Sequence, residues 1–141
     1  MCLFETEYKL TISFEDLDPL NIVWHGNYVR YMEQARCDML AKMNYTYTDM
    51  KNEGYAYPIA KMEMKYIKPA EFGDKLIVKT KIITIEPALN IQYEIYNSKN
   101  NDKIFEAKTM QIGMDMNTKE SLYTPPTGLL KAIKEINNVE I

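Results

Sequence analysis

Five stretches of the chain carry a strand-like pattern of apolar and polar positions, and two carry a helical one. Residues 5–14 alternate, with Tyr8, Leu10, Ile12 and Phe14 on one face and Lys9, Thr11 and Ser13 on the other. Residues 58–67 alternate again, setting Ala60, Met62, Met64 and Tyr66 against Lys61, Glu63 and Lys65. Residues 75–86 are rich in Ile, Val and Thr and stop at Pro87. Leu89, Ile91, Tyr93 and Ile95 alternate through a fourth strand, and residues 104–114 make a fifth. Period-two patterns of this kind predict half-buried strands. Between the first two strands, Tyr28, Met32, Ala35, Met39 and Met43, flanked by Val29 and Leu40, fall at helical spacing up to about Asn44. Residues 46–54 are polar and read as a short helix or turn closed by Gly54. Thr124-Pro125 begins a terminal helix with Leu129, Leu130, Ile133 and Ile136 on one face.

The connections set the topology. Residues 68–74 (KPAEFGD) and 97–102 (NSKNND) are dense in turn formers. Three hairpin-linked strands at the end imply an antiparallel sheet. The long helix has to bury its apolar stripe against that sheet. The order is strand, long helix, four strands, helix, which is an α+β fold.

One stretch is unlike the rest. Residues 15–36 read EDLDPLNIVWHGNYVRYMEQAR and hold the chain's single histidine, His25, and single tryptophan, Trp24. Asp18-Pro19 signals a turn, because proline sets its own φ and pushes the preceding residue out of the helical region. Asn21 tolerates left-handed backbone, so a second sharp turn is expected there. His25-Gly26-Asn27 reads as the helix entry, with Asn27 as N-cap. An acid just before a helix start lies near free backbone N–H groups and the positive end of the helix dipole. The same N–H groups could bind a developing oxyanion, which is the arrangement wanted for attack on a carbonyl.

The pattern Asp-x-Asp-Pro-x-x-Ile-Val-Trp-His-x-Asn-Tyr, followed by a helix carrying Tyr31, Glu33 and Arg36, resembles the 4-hydroxybenzoyl-CoA thioesterase branch of the hotdog-fold acyl-CoA thioesterases. The resemblance covers nearly the whole chain in length and order of elements. One departure is Asn21, where the family commonly has glycine. The resemblance implies one hotdog domain over residues 1–141: a curved five-stranded antiparallel sheet of order 1-3-4-5-2 wrapped around the long helix, with a C-terminal helix. It implies hydrolysis of an acyl-CoA to free acid and coenzyme A, with Asp18 as nucleophile or general base. The backbone N–H of His25 would polarise the thioester oxygen, and its imidazole could orient substrate or assist proton transfer. Trp24, Gly26, Tyr28 and Glu33 are the expected substrate-binding positions, although Trp24 and Tyr28 also have ordinary packing roles. Asp16 is expected to bond the loop's own backbone. A homodimer or homotetramer with sites between subunits is implied, with the segment 57–61 helping to close a partner's site. The alternatives are an acyl-carrier-protein thioesterase, a non-catalytic acyl-CoA binding module and a hydratase on the same fold.

Composition narrows the remaining possibilities. A chain of 141 residues with 46% hydrophobic and 26% charged residues is sized and composed like one globular domain. Net charge is −3, so no basic surface calls for nucleic acid. The first ten residues, MCLFETEYKL, include acids and no long apolar run, so neither a secretory signal nor a membrane span is expected there. Cys2 and Cys37 form no spaced framework, and a reducing, cytoplasmic setting follows. Five scattered glycines build no phosphate loop or dinucleotide fingerprint. One histidine and two distant cysteines argue against zinc. Cys37 stands twelve residues beyond His25, roughly 18 Å along a helix, too far for a Cys-His pair. No metal and no bound cofactor are therefore expected, with coenzyme A entering only as part of substrate and product. Among the lysines at 61, 65, 68, 79 and 81 some would meet its phosphates, and the pattern does not single out which.

Overall fold

The computed structural model describes residues 2–137, so the ends of the expected 1–141 domain lie outside it. Strands β1 (Phe4–Thr11), β3 (Ile59–Tyr66), β4 (Lys75–Thr84), β5 (Leu89–Asn97) and β6 (Asp102–Gln111) form one antiparallel sheet in the order β1-β4-β5-β6-β3. Counted by these five strands alone, that is the order 1-3-4-5-2. Helix α1 (Asn27–Lys42) packs on one face through Tyr28, Tyr31, Met32, Ala35, Arg36, Met39 and Leu40. This is the hotdog architecture that the resemblance implied.

The sheet's inner face follows from register. Leu76, Val78, Thr80 and Ile82 of β4 lie opposite Leu10, Tyr8, Thr6 and Phe4 of β1. Ile91, Tyr93 and Ile95 of β5 lie opposite Thr109, Ala107 and Phe105 of β6. Nearly all of these β4, β5 and β6 side chains are fully buried against α1. The outer face carries charges that pair across strands, including Lys81 to Glu94 at 3.0 Å and Lys103 to Glu94 at 2.8 Å. Opposite charges on neighbouring strands support the sheet without a second apolar layer.

Some boundaries differ from the sequence reading. The first strand ends at Thr11, and Phe14 is not on its buried face. Phe14 sits in a 3₁₀ turn, Phe14–Asp16, and is 74% exposed, edge-on to Phe72. The cause is local: the Asp16 carboxylate accepts the Ser13 N–H at 3.0 Å and folds the chain out of the strand. The fifth strand is also interrupted. It ends at Gln111, and after Ile112 the chain joins β7 (Gly113–Asp115) of a second small sheet with β2 (Tyr55–Ala56) and β8 (Ser121–Leu122). Gly113 permits this, because a Cβ there would press on the Tyr57 ring at 3.2 Å. The terminal helix α3 (Thr127–Ile136) begins three residues later than Thr124. A residue before proline is held extended, which keeps Pro125 non-helical, and Pro126 caps the helix in an extended conformation with ψ 152°. Leu129 and Ile133 face the core, and Leu130 is 36% exposed. A short helix α2 (Tyr47–Asn52) fills the polar stretch, capped by Thr46, which receives the Asp49 N–H. No helix among the described residues is long and apolar enough to cross a membrane.

Candidate active site

The loop from β1 to α1 is a compact hydrogen-bonded knot. Asp18 N–H donates to Ile22 O at 2.9 Å, and Asn21 N–H returns to Asp18 O at 2.9 Å. Asn21 has φ +63°, the left-handed turn expected of it, and its side chain is short enough to bear it. Leu17 and Val23 pair in an isolated bridge, and Val23 N–H reaches Ala70 O at 2.8 Å, tying the loop to the β3–β4 turn. Asp16 is the anchor. It is buried, receives Ser13 N–H and pairs with Arg30, while its carbonyl accepts from Trp24 N–H at 2.9 Å and Asn27 Nδ2 at 2.8 Å. Asn27 therefore does not cap α1. The N-cap is Gly26, one residue earlier, which has no side chain to make a cap bond, and the Asn27 amide is committed to the loop.

Asp18 differs from Asp16. Its Oδ1 accepts Leu20 N–H at 2.8 Å, and Oδ2 has no hydrogen-bond partner among the described residues. It lines a pocket of about 380 Å³ together with Ile22, His25, Tyr28, Tyr66 and Lys68. The pocket's base is an aromatic cluster. Tyr28 stacks on Phe105 at 4.6 Å, and Tyr66 stands edge-on to both, 5.3 Å from Tyr28 and 5.2 Å from Phe105. Burial, with the neighbouring Tyr66 hydroxyl, pushes the Tyr28 hydroxyl up to about 12. Both causes favour the protonated hydroxyl of Tyr28.

The N–H groups of His25 and Gly26 donate to no acceptor among the described residues. They stand at the amino end of α1, where backbone dipoles favour negative charge. Gly26 is required by its neighbour: a Cβ there would run into the Trp24 indole, with Cε3 only 2.8 Å away. Trp24 is half exposed, with its ring 5.3 Å from the His25 ring.

The structure brings Asp18, His25 and Tyr28 to one pocket and places Trp24 and Gly26 against each other beside it. Glu33 lies elsewhere along α1. Its carboxylate pairs with Arg36, a buried guanidinium that also donates to Tyr47 at 2.5 Å and Tyr93 at 3.3 Å. Burial acts to lower the Arg36 pKa, but the hydroxyls of Tyr93 and Tyr47 with Glu33 outweigh it, so the group stays charged. Tyr31 is fully buried in the core. Of the candidate lysines, Lys68 lines the pocket and pairs with Asp102 at 2.9 Å. Lys61 and Lys81 are paired with Glu63 and Glu94, and Lys79 lies over the Tyr96 ring.

Tyr66, Ile67 and Leu20 also line the pocket. Sequence pattern places Tyr66 only on a strand face. Its hydroxyl donates to His25 O at 2.8 Å across 41 residues of chain, a contact that periodicity carries no trace of. A larger depression of about 500 Å³ on the outer sheet face, around Glu63, Lys65, Glu94, Lys103 and Glu106, holds charges largely engaged with one another.

Residues 12–135 match the family model of the thioesterase-like superfamily. A Bacillus subtilis relative, YneP, is 28% identical over 90 residues, 63% of this chain and 65% of that protein, so the match spans just under two thirds of that relative's length. The acyl-CoA thioester hydrolase YbgC of Escherichia coli is 28% identical over 109 residues, 77% of this chain and 81% of that protein. In fold, the chain superposes on the crystal structure of a 1,4-dihydroxy-2-naphthoyl-CoA thioesterase from Synechocystis with TM-score 0.85, at 18% identity and over 95% of this chain and 98% of that one.

Proposed function

The chain belongs to the thioesterase-like superfamily, and from that premise we propose that it hydrolyses an acyl-CoA thioester to the free acid and coenzyme A. The observation that carries the reading is one pocket shared by the Asp18 carboxylate and the residues that open α1. A carboxylate with one uncommitted oxygen supplies a nucleophile or a base. Free N–H groups at the amino end of a helix supply stabilisation for the charge that develops on the carbonyl oxygen.

In the nucleophilic route Asp18 attacks the thioester carbon, the C–S bond breaks, and sulfur leaves as the thiolate of coenzyme A. Water then hydrolyses the mixed anhydride. In the general-base route Asp18 takes a proton from water as the resulting hydroxide attacks, and that proton passes to the departing sulfur. In both, His25 and Gly26 N–H groups hold the oxyanion. Tyr28 and Ile22 form the apolar wall, Trp24 shapes the loop through Gly26, and Lys68 is the cation best placed for the phosphate-bearing end of the substrate. Glu33 acts further along α1, through its pair with Arg36. No metal or bound cofactor takes part in either route.

We also propose that the protein works as a homodimer, or a homotetramer built from dimers, joined along β3. That edge strand has seven of its eight residues in the pairing register with β6 on one side and, among the described residues, no strand on the other. Its inner-face residues Met64 and Tyr66 remain 39% and 46% exposed, as does the neighbouring Ile67 at 41%. An unpaired strand with exposed apolar side chains needs covering. Its first residues, 59–61, would reach the partner's site. Free Cys2 and Cys37 fit a reducing, cytoplasmic location.

The test is thiol release from a panel of acyl-CoA thioesters by wild type and Asp18→Asn. Asn keeps the shape but neither attacks nor accepts a proton, so kcat falls at least about 100-fold. Equal turnover by the two proteins would remove Asp18 from the chemistry. Failure of wild type on every thioester, with coenzyme A still binding, would favour a binding module instead.

A further inference from the structure

Tyr66 is far from the loop in sequence and meets it at His25, standing edge-on to the imidazole at 6.4 Å. Its hydroxyl donates to the carbonyl of His25 at 2.8 Å. The ring that carries this hydroxyl is held by two edge-on aromatic contacts, with Tyr28 at 5.3 Å and with Phe105 at 5.2 Å. Both Tyr28 and Phe105 belong to the buried core, so the hydroxyl is presented from a fixed platform rather than from a loose side chain.

The place of this contact matters because of what flanks it. The peptide before His25 is oriented by its own carbonyl: Trp24 O accepts Asn27 N–H at 2.9 Å. In a planar trans peptide the N–H points opposite to the C=O, so this bond also aims the His25 N–H. The peptide after His25 contains the carbonyl held by Tyr66 and the Gly26 N–H. No backbone group among the described residues holds that carbonyl. Gly26, with no Cβ, restrains its own backbone less than any other residue would. Among the described residues Tyr66 is therefore the single polar restraint on the second of these two peptides.

We propose that Tyr66 is a positioning residue: by gripping the His25 carbonyl it fixes the peptide plane that presents the Gly26 N–H group to the thioester oxygen, beside the His25 N–H that the bond from Asn27 to the Trp24 carbonyl already aims. This rests on the thioesterase reading given above. Oxyanion donors work because they are already aimed when charge develops, and a peptide free to rotate must be re-aimed at each turnover. The restraint acts on the transition state and leaves ground-state binding of the acyl chain and carrier alone. β3 thereby contributes to catalysis without a side chain on the reacting atoms.

The experiment compares wild type, Asp18→Asn and Tyr66→Phe on the acyl-CoA that wild type hydrolyses fastest. It adds binding of the matching alkyl-CoA thioether, in which a methylene replaces the carbonyl. Phe keeps both aromatic contacts and removes the hydroxyl. The expected result is a kcat about 10-fold lower, with KM and thioether affinity within about twofold of wild type and an unchanged melting temperature. Three results would overturn the inference: kcat within twofold of wild type, a loss shared equally by thioether affinity, or failure of Tyr66→Phe to fold. The first would leave the hydroxyl without a role, and the other two would make Tyr66 a packing residue. Failure of the thioesterase reading looks different, since wild type would then release no thiol from any member of the panel, and the inference would fall with it.

Discussion

Gly26 has room for no side chain, and the reason is a single neighbour. The Trp24 indole lies where a Cβ would go, so Gly26→Ala must push the ring aside or shift the start of α1. Trp24 is the chain's only tryptophan, so its emission reports the displacement directly. The expected outcome is a shifted emission maximum and at least about 10-fold lower kcat, read by fluorescence and thiol release on one preparation. An unshifted spectrum with full activity would show that the loop absorbs the methyl group. Arg36 is the second residue whose surroundings determine its role. Its buried guanidinium holds Glu33, Tyr47 and Tyr93 together, and Gln111 extends the network to Tyr47 at 3.1 Å and to Tyr57 O at 2.6 Å. Replacing it with Leu strands buried hydroxyls, and the expected loss is about 3 kcal/mol in a urea melt. A midpoint equal to wild type would mean that water enters and repairs the network. The motif makes Asp18, Glu33 and Arg36 stand out in the sequence. What it does not convey is that Asp18 has an uncommitted oxygen in a pocket while Glu33 is turned to Arg36.

At the scale of elements, β3 is the exception to the sheet. Alternation predicts one buried face for it, as for β4 and β5, yet seven of its eight residues are exposed and only Met62 is half-buried. Its inner-face side chains point to the same side as Phe105, Ala107 and Thr109 of β6, but although Tyr28 of α1 meets Tyr66, Met64 and Tyr66 stay 39% and 46% exposed. Sequence periodicity reports which face is apolar and is silent on what covers it. The proposed dimer supplies the cover. Met64→Lys would put a charge into that interface, and light scattering should then find the 16.5 kDa monomer where wild type is at least twice that mass. A variant that keeps the wild-type mass would place the interface elsewhere. The other departures arise from local devices. Asp16 folds Phe14 out of β1 and takes Asn27 away from the cap, and the Pro125-Pro126 pair delays α3.

For the molecule as a whole, the outer sheet face is expected to lose stability in acid. Hydrogen bonding by Lys103, and then by Lys81, holds the Glu94 carboxyl down at about 2. Its ordinary value is 4.5. A carboxylate depressed on folding contributes stability that is present above its unfolded value and is lost as pH falls through the folded one. Stability should therefore decline between about pH 4.5 and 2, and Glu94→Gln should be less stable than wild type at pH 6 with a smaller decline over that window. Parallel acid profiles of the two proteins would show the exchange of Lys81 and Lys103 partners to be immaterial. Element order, the α+β class, the turns at Asp18-Pro19 and Asn21, and the five-stranded sheet were all legible from the chain by itself, because period, proline and left-handed residues act over a few positions. The family motif added the hotdog arrangement and the strand order. Tertiary structure alone decided which apolar face stays open, that the chain passes at Gly113 into a second sheet beside Tyr57, and that Tyr66 meets His25. Each of these depends on residues brought together from distant parts of the chain, and local pattern holds no record of such distances.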